Sequence, residues 1–212
     1  MAHLSRKLFA LLVCMTLILV LVYNMNDSVH QQTEKISEKV EEKIMAVFNP
    51  FEKAMEFVFQ KEGKLSNDKD DPGGITNYGI ILNTLKDAKV DINGDGRVDA
   101  LDIRELSPDV AVQIYKDKYW NGLNANDLDW TLAVVAFDTA VNVGVGRTNR
   151  WVQQTVDRNE DYKYLLNLRT IHYLNIIQKN PVLAKYKKGW LNRVNDLKKY
   201  VDILKEETPE QA

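Results

Sequence analysis

An all-α fold is predicted by two features of the sequence, the spacing of its apolar residues and its helix-start signals. Apolar runs long enough for helices cover residues 51–59 and 130–142, and a thinner apolar stripe recurs at steps of three, four or seven over residues 29–48. Asn49-Pro50 and Ser107-Pro108 each place a capping residue directly before a proline, which is a typical first-turn arrangement. Both features predict helices that are joined by polar loops.

The composition sets limits on the class of protein. The chain has 212 residues with 28 basic and 30 acidic side chains, which suits one or two small domains and no strongly basic surface. We therefore expect no nucleic-acid partner. Cys14 is the only cysteine, so a disulfide framework and a cysteine metal site are both excluded.

Residues 1–23 are predicted to form an N-terminal transmembrane signal-anchor. An uninterrupted apolar run extends from Leu8 to Tyr23 and is preceded by Arg6 and Lys7. A cleaved signal peptide would have a shorter apolar core and a small-residue cleavage site, which this segment lacks. Because the basic flank stays in the cytoplasm, we expect a single-pass protein of the inner membrane whose remaining chain is periplasmic or extracytoplasmic.

Residues 24–49 are predicted to form a helical stalk between the membrane and the first domain. The segment is polar and charge-rich, and its apolar residues form only a thin stripe. A short coiled coil along this stripe would give a weak dimer, although the segment holds few heptads.

The segment 61–80 changes from a helical pattern to turn residues. Glu62 follows the apolar run 51–59, at the predicted C-terminus of that helix. The negative end of the helix dipole and partial burial both raise the pKa of a carboxyl group there, which suits a general acid. Asp71 and Thr76 follow in the same loop. The alternative is an acidic surface loop, since Asn, Asp and Pro-Gly-Gly are also ordinary turn residues.

The sequence of residues 62–80, which we call the catalytic string, resembles a known family as a whole. Its parts are Glu62-Gly63, Asn67-Asp68, Asp71-Pro72-Gly73-Gly74 and Thr76-Asn77-Tyr78-Gly79-Ile80, with Lys64 where a second glycine is usual. This string resembles the signature of glycoside hydrolase family 108, the muramidases related to typhoid-toxin secretion factors and to some phage endolysins. The order of a Glu, an Asp and a Thr also resembles the site loop of phage-type lysozymes.

The resemblance implies a lysozyme-like domain over residues 50–128 that acts as a lysozyme-type N-acetylmuramidase on peptidoglycan. Glu62, Asp71 and Thr76 would be its catalytic residues, as the acid, the residue that holds the water and a supporting hydroxyl. Other residues would contact the substrate: Asn67, Asn77, Tyr78, Asn142 and Trp190.

The segment Asp91–Asp102 has the pattern of an EF-hand-like calcium loop. Oxygen side chains occupy positions one, three, five, nine and twelve, glycine occupies position six, and position seven would give its backbone carbonyl. The predicted ligands are Asp91, Asn93, Asp95, Arg97, Asp99 and Asp102. A structural Ca²⁺ is favoured over a sensor because the loop has no paired partner. The alternative is an ordinary Asp-Asn-Gly turn without metal.

Residues 129–203 resemble the small peptidoglycan-binding domain that is commonly fused to family 108 enzymes. The resemblance is based on two segments, Phe137–Gly144 and Gly189-Trp190-Leu191-Asn192-Arg193. The first of these is also similar to the central helix of phage lysozymes. Asp138 and Asn142 are expected either to line a cleft or to form a satisfied buried polar pair, and Asp138 receives no catalytic role. Basic residues outnumber acidic ones after residue 161, which suits an anionic wall polymer.

The combined prediction is an anchored peptidoglycan hydrolase whose last residues, 204–212, form a disordered tail. Two other classes remain open. One is a non-catalytic peptidoglycan-binding protein that aids secretion or lysis. The other is a calcium-organised, dockerin-like partner module, for which a second calcium loop would be expected.

Overall fold

The computed structural model describes residues 48–61 and 75–208, and in these ranges the chain is mainly helical, as predicted. The predicted anchor, most of the stalk and the last four residues lie outside the described ranges. Residues 50–202 make up one compact unit, and residues 48–49 and 203–208 are the described part of a second. Within the described ranges, no helix has the length and apolarity that a membrane span requires.

The elements follow one another along the chain with a single small sheet near the start. The helices are α1 (Pro50–Lys61), α2 (Leu82–Ala88), α3 (Ala100–Glu105), α4 (Pro108–Tyr115), α5 (Trp130–Val143), α6 (Val145–Asp157), α7 (Tyr162–Lys179) and α8 (Lys187–Glu207). The strands are β1 (Thr76–Asn77) and β2 (Ile80–Ile81). A π-helical turn covers Lys116–Trp120, and 3₁₀ turns cover Asn121–Leu123, Ala125–Asp127 and Pro181–Tyr186.

The predicted helix starts are confirmed at Pro50 and Pro108, where proline occupies the first helical position. The helix predicted from Ile80 begins instead at Leu82, because Ile80 and Ile81 pair with β1. At the other end of the chain, α8 continues to Glu207, so residues 204–207 are helical where the sequence predicts a disordered tail.

Helix α5 is the centre of the core. Every residue from Thr131 to Ala140 is buried, as expected for a helix that is apolar on all sides. The ring of Phe137 lies 5.8 Å from that of Phe51 in α1 and 5.7 Å from that of Trp120. Gly144, at φ +88°, ends the helix in a conformation that favours glycine. The predicted segments 50–128 and 129–203 therefore share one core, and their division is retained only as a proposal about function.

A buried carboxylate links three of these helices. Asp138 of α5 accepts from Arg169 Nη1 of α7 at 2.7 Å and from Arg193 Nη2 of α8 at 2.6 Å. Asp138 is 1% exposed, Arg169 0% and Arg193 16%. We call these three residues the Asp138 clamp. Burial by itself would raise the pKa of Asp138, but the two guanidinium groups lower it below the usual 3.8.

Replacement of Asp138 by Asn should destabilise the protein by about 3–5 kcal/mol at neutral pH, because two largely buried guanidinium groups would lose their counter-charge. Since the folded-state pKa of Asp138 is depressed, its contribution is complete above pH 3.8 and is lost as the pH falls through the folded-state pKa. The difference between wild type and Asp138→Asn in denaturant unfolding should therefore shrink in strong acid.

The matched control is Asp87→Asn, which removes an exposed ion pair with Lys118 at 3.2 Å and should change the unfolding free energy by about 1 kcal/mol or less. If Asp138→Asn costs no more than Asp87→Asn at neutral pH, the clamp does not hold the helices together.

Candidate functional site

The predicted catalytic string, residues 62–80, begins directly after helix α1, and its last residues form part of the small β-hairpin. Helix α1 ends at Lys61 and strand β1 begins at Thr76. Glu62, Asn67 and Asp71 lie outside the described residues, so their assignments stay predictions. These two elements show how the ends of this string are held.

The end of α1 is held by helix α8. Lys61 Nζ donates to Asp196 Oδ2 at 2.5 Å, and this contact lowers the pKa of the exposed Asp196 carboxyl. Two turns earlier in α1, the carbonyl of Lys53 accepts from the Tyr200 hydroxyl at 2.9 Å. The residue before Glu62 is therefore tied by a charged contact to the body of the protein.

The other end of the string is held by a two-residue hairpin. Thr76 pairs with Ile81 and Asn77 with Ile80, and the two turn residues, Tyr78 and Gly79, have φ +51° and +74°. Positive φ at both turn positions is what a type I′ hairpin requires. Tyr78 is the less usual residue there, because a side chain at positive φ is strained.

Buried contacts fix this hairpin on the helices behind it. The Asn77 side chain is 7% exposed, and its Nδ2 donates to the carbonyl of Ile103 at 3.0 Å. The hydroxyl of Tyr115 donates to the carbonyl of Tyr78 at 3.0 Å. Asn77 thus has a structural role, and a contact between Asn77 and substrate remains a prediction.

Aromatic residues that the motif does not include surround the hairpin. The Phe59 ring lies 5.9 Å from that of Tyr78 and 6.2 Å from that of Tyr115, and the Tyr119 ring lies 5.6 Å from Tyr115. Tyr115 and Tyr119 are not part of the predicted catalytic string. Their spacing of four residues, which places them on one helical face, is the signal that could have linked them.

Two of the predicted substrate-binding residues lie near the Asp138 clamp. Asn142 is exposed, and its Nδ2 donates to the carbonyl of Asp138 at 2.7 Å. Trp190 is half-buried and stacks on Tyr173 with 4.9 Å between ring centroids and on Tyr186 with 5.8 Å. Tyr186 is 46% exposed, so the outer end of this stack reaches solvent.

The loop Asp91–Asp102 is stabilised by its own side chains. Asp91 accepts from the backbone N–H groups of Gly94 and Gly96, each at 2.8 Å. Asp102 is fully buried and accepts from the N–H groups of Ile92 at 2.8 Å and Asp99 at 2.7 Å. These backbone hydrogen bonds, above all that from Asp99, lower the pKa of Asp102.

The fit of this loop to Ca²⁺ is partial. Its donors are all oxygen atoms, the ligand type that Ca²⁺ prefers. In the part of the chain that the structure describes, however, no three acidic, histidine or cysteine side chains are grouped as metal ligands. The calcium loop therefore remains a prediction that its donor set supports.

Comparisons with known proteins agree with the resemblance seen in the sequence. Residues 55–144 match the family described as Glycosyl hydrolase 108, a range that includes Glu62, Asp71, Thr76 and the Asp91–Asp102 loop. No curated protein sequence matches the chain. The structure is similar to that of Brucella abortus SagA, with a TM-score of 0.60, 26% sequence identity, and coverage of 71% of this chain and 92% of that one. Residues 55–144 are thus similar to glycosyl hydrolase family 108, and the structural similarity extends over 71% of the chain.

Proposed function

We propose that this protein is a peptidoglycan hydrolase, an N-acetylmuramidase of the lysozyme type that cleaves the β-1,4 bond between N-acetylmuramic acid and N-acetylglucosamine. One observation carries the proposal. The range that matches the glycosyl hydrolase family contains the whole string from Glu62 to Ile80.

Glu62 is the general acid of the proposed reaction and gives its proton to the leaving glycosidic oxygen. The C-terminal end of a helix suits this role because the helix dipole disfavours the carboxylate there. Asp71, helped by the hydroxyl of Thr76, positions or activates the water whose oxygen bonds to the anomeric carbon. If the two carboxyl groups are far enough apart to admit this water, the configuration inverts.

The described contacts support the two ends of the string that would carry this chemistry. Lys61, directly before the string, is paired with Asp196, and Asn77 and Tyr115 make hydrogen bonds that hold the hairpin at its end. A catalytic group works best when the elements that carry it cannot shift, since small displacements of reacting atoms are costly.

Residues 129–203 are proposed to bind the polymer. Lys185, Lys187 and Lys188 are exposed close to the stacked rings of Tyr186 and Trp190. Lys185 Nζ lies 5.0 Å from the centroid of the Tyr186 ring, a cation–π contact. A surface that combines cations with an aromatic edge suits an anionic glycan that carries stem peptides.

Two further parts of the proposal concern stability and location. A structural Ca²⁺ in the Asp91–Asp102 loop would be held by side-chain oxygens and the carbonyl of Arg97, and no chemistry is assigned to it. The segment 1–23 would anchor the chain in the inner membrane, with residues 24–49 as a stalk that allows weak dimerisation. The catalytic part would then face the periplasm.

Glu62→Gln should reduce the rate of peptidoglycan hydrolysis by at least about 100-fold while folding and wall binding persist, because it removes only the titrating proton. Asp71→Asn should reduce the rate of hydrolysis by a smaller factor than Glu62→Gln does. Mass spectrometry of the wild-type digest should find N-acetylmuramic acid at the new reducing ends. The matched control is Glu160→Gln, an exposed glutamate. Near wild-type clearing by Glu62→Gln would refute this mechanism, and reducing ends of N-acetylglucosamine would refute the bond assignment.

Calcium at millimolar concentration should raise the melting temperature of the wild type, because an ion that binds only the folded state stabilises it by mass action. Replacement of both Asp91 and Asp95 by Asn should remove this gain. The control is Asp157→Asn, at an exposed position outside the loop. A wild-type melting curve that a chelator leaves unchanged would show that the loop is an ordinary turn.

A reporter fused to the C-terminus should be active only as a periplasmic reporter, and the chain should fractionate with the inner membrane because its apolar segment is retained. Recovery of a soluble mature form that begins near Asn26 would show instead that the segment is cleaved.

A further inference from the structure

A half-buried arginine of α6, Arg147, contacts a histidine of the neighbouring helix. Arg147 Nη1 lies 2.7 Å from Nε2 of His172 in α7. A guanidinium group can only donate, so Nε2 accepts, and the neutral imidazole carries its proton on Nδ1. Burial and the charge of Arg147 both lower the pKa of His172 below 6.5, which keeps the ring neutral near neutral pH. The hydrogen bond therefore holds Arg147 in place without neutralising its charge.

The positive charge of Arg147 has no counter-charge in the part of the chain that the structure describes. The arginines that form ion pairs there, Arg169 and Arg193, both contact Asp138. A guanidinium group has five N–H donors, and in the described contacts Arg147 uses only Nη1. Donors on its Nε and Nη2 are left in the planar arrangement that matches the two oxygens of a carboxylate. Arg147 is thus fixed in position and still able to bind an anion.

Aromatic rings connect Arg147 with the surface that is proposed to bind the polymer. Trp151 follows Arg147 by four residues, on the same face of α6, and its ring meets that of His172 edge-on at 5.4 Å. The His172 ring lies 6.1 Å from that of Tyr173, which stacks on Trp190 at 4.9 Å. The pair of Arg147 and His172 is therefore continuous with the aromatic residues of that surface.

We propose that Arg147 binds a carboxylate of the stem peptides of peptidoglycan, and that His172 is the positioning residue that orients its guanidinium group. This inference rests on the proposed function, in which the ligand is peptidoglycan. A planar guanidinium group forms two parallel hydrogen bonds with a carboxylate, which an ammonium group does not reproduce. The site adds recognition of the peptide to the contacts that Tyr186 and Trp190 would make with the glycan.

The contact with His172 distinguishes Arg147 from the exposed lysines of the same surface. A long side chain that is free in solvent loses rotamer freedom when it binds a ligand. Arg147 has already given up much of this freedom to the hydrogen bond with His172. Loss of the acceptor on His172 should therefore weaken binding even though the charge of Arg147 remains.

The test measures binding of a soluble N-acetylmuramic acid peptide with a free terminal carboxylate to the full chain. This fragment has no glycosidic bond to cleave, so turnover does not interfere. Arg147→Gln should weaken binding by about 10-fold, Arg147→Lys should weaken it nearly as much, and the exposed control Arg150→Gln should match the wild type. The wild type should bind a fragment with an amidated carboxylate as weakly as Arg147→Gln binds the free acid. Equal binding by wild type and Arg147→Gln, or no binding by either, would overturn the inference.

Two variants of His172 test its positioning role. His172→Gln keeps a side-chain acceptor and should bind the fragment within about threefold of the wild type, whereas His172→Phe keeps a ring without the acceptor and should lose about 10-fold. Equal binding by these two variants would contradict the positioning role. If His172→Phe fails to fold, nitrogen-15 NMR of the Arg147 side chain, assigned by its absence in Arg147→Gln, decides: its Nε resonance should shift when the fragment is added to the wild type, and an unshifted resonance counts against the site.

Inorganic phosphate is the second probe, because a guanidinium group also binds phosphate. Binding of phosphate through Arg147 without binding of the fragment would overturn the assignment to the peptide. The outcomes also separate this inference from the proposed function. A wild-type protein that binds the fragment through Arg147 but leaves peptidoglycan intact refutes the proposed hydrolysis alone, whereas hydrolysis together with fragment binding that Arg147→Gln does not change refutes this inference alone.

Discussion

The charge balance at Asp138 is the constraint on which the arrangement of the helices depends. One carboxylate that is almost completely buried accepts from guanidinium groups of α7 and α8, whose positions lie 31 and 55 residues further along the chain. A buried ion pair adds little net stability compared with apolar packing, but the loss of one member is costly. The clamp therefore selects one arrangement of α5, α7 and α8 and penalises any other that separates these charges.

Apolar packing supplies most of the stabilisation around this point. Helix α5 is buried on every side, and its Phe137 meets aromatic rings from α1 and from the π-helical turn. Edge-to-face contacts of this kind fix the mutual orientation of helices in addition to the area that they bury. Helix α1, which leads into the predicted catalytic string, is thus oriented by the same core that contains the clamp.

Local patterns predicted the helices well, because a proline in the first turn or an apolar run such as residues 130–142 is specified by neighbours in the chain. The hairpin was missed since Ile80 and Ile81 continue directly into an apolar helix, and a turn containing Tyr78 lacks the usual sequence signal.

The arginines that pair with Asp138 could not be predicted from the sequence either. Its burial was anticipated as one of two alternatives, but which arginines meet it depends on the packing of α7 and α8. In the predicted site, the motif singled out Thr76 and Tyr78, whereas Tyr115, which holds the turn from another helix, became apparent only from the structure.

The buried amide of Asn77 has a consequence for its neighbour. Side chains alternate between the two faces of a strand, so a residue that is pinned inward dictates that the preceding one points the opposite way. Because Asn77 is fixed by the carbonyl of Ile103, a slip of the hairpin by one residue would expose that carbonyl and bury a threonine in place of the amide. The direction of the Thr76 side chain is thus set by an interaction in which Thr76 takes no part. The same interaction fixes the pairing register of a strand of only two residues, which normally requires a longer ladder of backbone hydrogen bonds.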